Sequence, residues 1–272
     1  MTKLNSMQKD SKNMNDRAQR AVQSVEVGGR ILLALANNRS AMNLKDLSAV
    51  AGMAASRAHS YLVSFARLGL IEQDNAGRYD LGPAALQIGL AYLQRLDPYK
   101  AAEPYVHQLA EITGHTVVMA VWGNFGPTVV KLIEAKGPLH ISMRMGSVLS
   151  VFDTATGRAF ASVLAENKLA QAVAGPVGEL LGKQELKKRW NELEVIKKEM
   201  ATHGISRVVG SPIPGVNAFS SPVFDFEGNP IFVVTITDNQ DRLQISWDSE
   251  SAQALKKTIE EISKKIGGTI KV

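Results

Sequence analysis

The clearest pattern of apolar and polar positions lies between Asn43 and Leu70. Leu44, Leu47, Ala51 and Met53 recur at helical spacing and predict a short helix with one inward stripe, closed at Gly52. Asn43 is suited to cap its start, and Asp46, three residues on, suits the positive end of the helix dipole. Gly52 stands where a left-handed residue closes a helix without steric cost. A second helix is predicted over 54–68, with Ala58, Tyr61, Leu62, Phe65 and Leu68 as its buried stripe. Its opposite face carries Ser56, Arg57, Ser60, Ser64 and Arg67, with His59 at the edge. Two short helices around a tight corner read as a helix-turn-helix.

The same periodicities organise the rest of the chain. Residues 22–37 predict a helix with Val25, Ile31, Leu32 and Leu35 inward; Gly28 and Gly29 inside it each cost roughly 1 kcal/mol relative to alanine, so it needs tertiary support. Residues 70–73 and 77–81 predict two short strands joined at Asp74-Asn75-Ala76-Gly77, a wing behind the second helix. Residues 83–96 predict a connecting helix striped by Leu86, Leu90 and Leu93, opened by Pro83 and ended before Pro98. Beyond Pro98 come a helix over 99–113 with Val106, Leu109 and Ile112 inward, strands over 116–122, 128–134 and 139–144, and a helix over 154–164. A glycine- and proline-containing loop over 175–182 leads to a charged helix over 184–202, then a hairpin of 218–225 with 231–237 and a last helix over 249–266. Helices flanking an antiparallel sheet make the class α+β. The predicted organisation is a polar, disordered tail over 1–20, a winged helix-turn-helix over 21–82, a linker helix over 83–97 and an α+β domain over 98–272.

Composition narrows the function. The chain has 272 residues and no cysteine, which excludes disulfides, thiolate metal sites and cysteine nucleophiles. No apolar run approaches the roughly 20 residues of a membrane span, and the polar N-terminus lacks a signal-peptide core, so a cytoplasmic protein is expected. The net charge of +5 sits mainly in the first 21 residues, which hold five Lys/Arg against two acids. Charge alone therefore does not single out nucleic acid. The absence of any Asp or Glu from Leu47 through Ile71 does, because a carboxylate there would repel a phosphate backbone. Lys45, Ser56, Arg57, His59, Ser60, Ser64, Arg67 and, on the wing, Arg78 are the candidate contacts to double-stranded operator DNA.

Signatures of catalysis are missing from the sequence. His59, His107, His115, His140 and His203 are scattered without metal spacing, and there is no nucleophile elbow, Walker loop or dinucleotide fingerprint. Asp153 with His140 would make an acid–base pair with no nucleophile to serve; His107 reads as an exposed helix residue and His115 as a turn residue. No enzyme, cofactor or metal is expected.

Five stretches, in order, resemble the IclR family of bacterial transcriptional regulators. They are Ser56-Arg57-Ala58-His59, Gly77-Arg78-Tyr79-Asp80-Leu81-Gly82, Glu111-Ile112-Thr113-Gly114-His115-Thr116-Val117, Thr154-Ala155-Thr156-Gly157-Arg158-Ala159 and Ser221-Pro222-Val223-Phe224-Asp225. The resemblance implies a winged helix-turn-helix, a linker helix, a GAF/PAS-like C-terminal domain that binds a small organic acid, and homodimers, often paired into tetramers. Carried over by position, the effector would meet the amides of Ala155 and Thr156, the hydroxyls of Thr235 and Thr237, and an apolar wall at Ile141 and Leu149. The family's acidic position is Val208 here and its cysteine-like position is Ala218, which implies a more apolar ligand, a larger or aromatic acid. Asp153 would repel an anion unless it turns away as an N-cap. The alternative is a DNA-binding oligomer whose large domain holds no ligand and only assembles subunits.

Overall fold

The computed structural model describes residues 22–38, 40–134, 143–173 and 183–270, apart from the side chains of 183–186. The expected disordered tail over 1–20 lies outside the described residues. The chain forms two compact units, Met1–Arg95 and Leu96–Val272.

The first unit opens with α1 (Gln23–Asn37), α2 (Leu44–Val50) and α3 (Ala55–Arg67). Asn43 caps α2 by accepting from the amide of Asp46 at 2.9 Å, and Gly52 closes the corner at φ +66°. The wing is an antiparallel pair, β1 (Ile71–Gln73) and β2 (Tyr79–Leu81), and Met42 pairs with Tyr79 on its other edge. Ile31, Leu35, Leu47, Ala58, Leu62 and Ile71 form the core of this unit. Gly28 is explained by that core: a Cβ there would lie 2.8 Å from the Phe65 ring, so glycine lets α1 lie against α3. Last in the unit is α4 (Pro83–Arg95), with no fully buried residue and with Leu86, Ile88 and Leu90 exposed.

The second unit is built on a five-stranded antiparallel sheet in the order β4-β3-β7-β6-β5. Its strands are β3 (Thr116–Gly123), β4 (Gly126–Ile133), β5 (Ser206–Val209), β6 (Val216–Phe224) and β7 (Pro230–Asn239). Alternation along each strand divides the residues between two layers of helix. Val117, Met119, Phe232, Val234 and Ile236 pack with α5 (Pro98–Thr113) and α9 (Glu250–Ile266). Ala120 and Val233 face the other way, toward α6 (Ala155–Val163) and α8 (Lys183–His203); α7 (Glu166–Val173) joins that layer. Neither α7 nor the four-residue edge strand β5 was anticipated from the sequence.

Several expectations need correction. Val25 is 71% exposed and Val27, at 2%, takes its place, because the α1 stripe runs Val27, Ile31, Ala34, Leu35. Leu68 and Ile112 are also exposed. Each stands ten positions after the first buried stripe residue of its helix (Ala58, Ala102), about 80° off that stripe at 3.6 residues per turn. The strand expected over 139–144 falls mostly outside the described residues; Met143 and Arg144 are not strand, and the segment that follows them hydrogen-bonds to β4 instead. The loop expected over 175–182 lies outside the described residues, as do His140 and Ile141.

His115 stands in the bend between α5 and β3, as expected of a turn residue, but it is buried. It is 6% exposed, with Nδ1 2.8 Å from Asp238 Oδ2 and Nε2 3.1 Å from Ser251 Oγ. Asp238 is 1% exposed and also meets Arg242 at 3.2 Å, while Arg242 donates to the carbonyl of Gly114 at 2.9 Å. This clasp ties the start of β3 to the end of β7 and the first turn of α9. His107 is exposed on α5, as expected.

Candidate nucleic-acid interface and ligand cavity

In the first unit α3 presents a continuous polar face. Ser56, Arg57, His59, Ser60, Ser64 and Arg67 are all exposed, and so is Lys45 on α2. The Ser60 and Ser64 hydroxyls donate back to the carbonyls of Ser56 and Ser60, which leaves their oxygens as acceptors. Ala54 offers no side-chain cap and the first turn of α3 holds no acid, so the positive end of the helix is open. Open amides, two arginines and no carboxylate are what a phosphate backbone asks of a helix. On the wing, Arg78 Nε lies 2.8 Å from Asp74 Oδ2. The main-chain amide of Arg78, then its side chain, hold the Asp74 carboxyl below the usual carboxylate range. Both groups are exposed, so the pair is weak and Arg78 is free to exchange partners.

In the second unit a cavity of about 280 Å³ opens where the start of α6 faces the sheet. Thr154 caps α6 by accepting from the amide of Gly157 at 3.0 Å. The amides of Ala155 and Thr156, which line the cavity, have no acceptor among the described residues. Thr235 and Thr237 enter from β7, and Ala218 from the paired position on β6. Leu149 lies on the wall. Ile141, the other expected wall residue, is outside the described residues. Val118, opposite Thr235 in the sheet, shares that face and was legible from strand parity. Met143, Ser147, Val148, Ser211, Pro212, Ile213 and Val216 complete the lining from irregular segments and a strand end, where no periodicity marks them.

The hydroxyls at the cavity can be counted. Thr156 Oγ lies 2.7 Å from Thr235 Oγ, which lies 2.7 Å from Ser220 Oγ. Three hydroxyls carry three protons and share two hydrogen bonds. Ser220 is fully buried, so an arrangement that leaves its proton unspent costs about 1–3 kcal/mol. The odd proton therefore belongs to Thr156 or Thr235, both of which line the cavity. Together with the two amides, it gives the cavity donors seeking an acceptor. Thr237 Oγ already donates to the carbonyl of Asn217 at 3.0 Å. Asp153 does turn away, though not as a cap: Ser150 Oγ donates to it at 2.6 Å and Arg189 pairs with it. No Lys, Arg or His lines the cavity among the described residues.

Comparison with known proteins matches residues 24–75 to the model of the IclR helix-turn-helix domain, and residues 90–264 to that of the bacterial transcriptional regulator IclR C-terminal. Among solved structures, Pseudomonas aeruginosa HmgR is 32% identical, with a TM-score of 0.81 over 91% of this chain and 99% of its own. The Agrobacterium tumefaciens repressor BlcR is 20% identical, with a TM-score of 0.73 over 92% and 99%. Among curated relatives, the glycerol operon regulatory protein of Streptomyces coelicolor is 24% identical over 82% of this chain and 87% of its own. The HTH-type transcriptional repressor AllR of Escherichia coli is 21% identical over 92% of each chain.

Proposed function

This chain belongs to the IclR family of bacterial transcriptional regulators, and from that premise we propose that its grip on operator DNA is set by a small organic acid held at the start of α6. It is a regulator that binds DNA through its helix-turn-helix, not an enzyme. The exposed face of α3 reads the operator, with Arg57 at its centre. Arg57→Ala is expected to weaken operator binding by about 1–3 kcal/mol and to flatten base preference at one position. Gel retardation on operator and scrambled duplexes checks this; equal loss on both would make Arg57 a phosphate contact instead.

The observation that carries the sensing role is the set of unspent donors, two amides and one hydroxyl proton, around an apolar cavity. Such a set fits a carboxylate, which only accepts. At about 280 Å³ the space lies just below the ~300–1,000 Å³ common for ligand sites, so the acid is small. Ala218 and Val118 on the floor, with no cation in the lining among the described residues, favour an apolar body such as one aromatic ring over a two- or three-carbon keto acid. A cavity filled by side chains would have suited a subunit-assembly domain with no ligand. Calorimetry with aromatic acids against short keto acids tests the assignment; heat from the short acids alone removes the aromatic one. Thr235→Val is expected to blunt the response to the acid while leaving DNA affinity unchanged, read by titrating the acid into a fluorescent operator complex.

The protein further acts as a homodimer in this reading, and as a tetramer where dimers pair, so that paired half-sites multiply affinity. Leu86 and Leu90, exposed and one turn apart on α4, support a seam there, because apolar side chains on one face gain by mutual burial. Leu86→Glu with Leu90→Glu is expected to shift sedimentation toward monomer; an unchanged dimer would place the seam elsewhere.

A further inference from the structure

We propose that the second unit carries another small-molecule site, at the opposite end of α6, which takes a medium-chain monocarboxylate. A cavity of about 450 Å³, larger than the first, lies where the end of α6 meets α8, β6 and α9. Its floor is apolar, with Val163, Met200, Phe224 and Ile259. One stripe of α9 supplies Lys256, Ile259, Glu260 and Ser263, spaced three and four apart.

Two of these polar groups stand out because their neighbours are already occupied. The hydroxyls of Ser162, Thr202 and Ser221 each donate to a main-chain carbonyl, as does that of Thr269. Ser263 is 1% exposed and its Oγ has no hydrogen-bond partner among the described residues, an unusual state for a buried hydroxyl. The cations divide in the same way. Lys197 Nζ is held by Glu194 at 2.9 Å and Glu166 at 3.2 Å, hydrogen bonds that keep its ammonium above the usual lysine range. Lys256 is half-buried and has no partner among the described residues. Glu260, one turn along, is exposed and solvated, and the His203 ring is stacked on Trp247 at 4.0 Å.

An unpaired cation, an apolar floor and an unspent hydroxyl fit an amphipathic acid. The carboxylate meets Lys256, the chain covers Met200 and Phe224, and Ser263, whose hydroxyl is closed off as it stands, turns on binding to meet a carboxylate oxygen. No residue of this cavity is shared with the first, so the proposal does not depend on what the first cavity binds.

Methionine methyls report each cavity separately, since Met200 lines this one and Met143 the first. In full-length protein carrying ¹³C-methyl methionine, with the two signals assigned through Met200→Leu and Met143→Leu, sodium octanoate is expected to shift the Met200 methyl saturably. Lys256→Gln should weaken that response about tenfold, the loss of one charge-assisted hydrogen bond. Ser263→Ala should weaken it as well while leaving the melting temperature unchanged or higher, because it removes an unpaired buried hydroxyl. A Met200 methyl that octanoate leaves in place, or full affinity retained in Lys256→Gln, overturns the proposal.

Discussion

Asp238→Ala is expected to lower the unfolding free energy of the second unit by about 1–3 kcal/mol, the range for leaving a buried donor without its acceptor. The substitution deletes the acceptor of three groups. His115 Nδ1 lies 2.8 Å and Arg242 3.2 Å from Oδ2, and the amide of Asn239 donates to Oδ1 at 2.7 Å. Arg242 is partly exposed and turns to water at little cost. His115, almost wholly enclosed, has no such escape, so the effect concentrates there. For a unit of this size the corresponding fall in Tm is roughly 2–12 °C. Trp122, Trp190 and Trp247 all lie in the second unit, so tryptophan fluorescence during denaturation reads it selectively. Asp238→Asn keeps an acceptor of the same shape and should cost markedly less. An alanine variant within about 1 kcal/mol of the parent would show that the clasp adds little to what the apolar core already supplies.

That clasp marks where reading the sequence stops. What was legible is local. Asn43 with Asp46, and Gly52, Gly114 and Gly267 at helix ends, act within one turn of their own position, and the structure has each cap in place. The outward face of α3 was legible for the same reason: its polar residues recur at one period over thirteen residues. Stripes failed at their ends, at Val25, Leu68 and Ile112, where one more apolar residue invites extending a phase that the helix has left. Pairings across long separations carry no local trace. His115 finds Asp238 across 123 positions and Asp153 finds Arg189 across 36, so one looked like a turn residue and the other like an unpaired carboxylate. The cavity divides along the same line. Thr156, Thr235 and Thr237 sit on regular elements and were placed by the family resemblance, with strand parity setting the two β7 threonines on one side, whereas Met143, Ser147 and Ser211 come from irregular segments whose placement depends on the whole fold.

Glycine offers the sharpest contrast, because one substitution should act in opposite directions at two positions. Gly29 lies inside α1, and a Cβ there would meet nothing within 4 Å. Gly29→Ala should therefore stabilise the first unit by up to about 1 kcal/mol, through helix propensity and a less flexible unfolded chain. Gly157, in the first turn of α6, is enclosed by main chain: a Cβ would run into the carbonyl oxygens of Ser150 and Val151. Those atoms cannot swing aside as a side-chain tip would. Thr154 Oγ donates to the Ser150 carbonyl at 2.7 Å, and Phe152, whose carbonyl holds Arg158 Nε at 2.9 Å, is buried. Gly157→Ala is expected to cost at least about 3 kcal/mol, the upper end for over-packing, since relief requires moving the start of α6 off the loop beneath it. That movement would carry away the amides of Ala155 and Thr156, so the response to an acid should be lost together with stability. This gives the glycine of Thr154-Ala155-Thr156-Gly157 a physical reason: it lets the capped helix start, whose Ala155 and Thr156 line the cavity, sit against the preceding turn. Circular dichroism melts of the two alanine variants decide the matter, and equal shifts of the same sign would refute the packing account of Gly157.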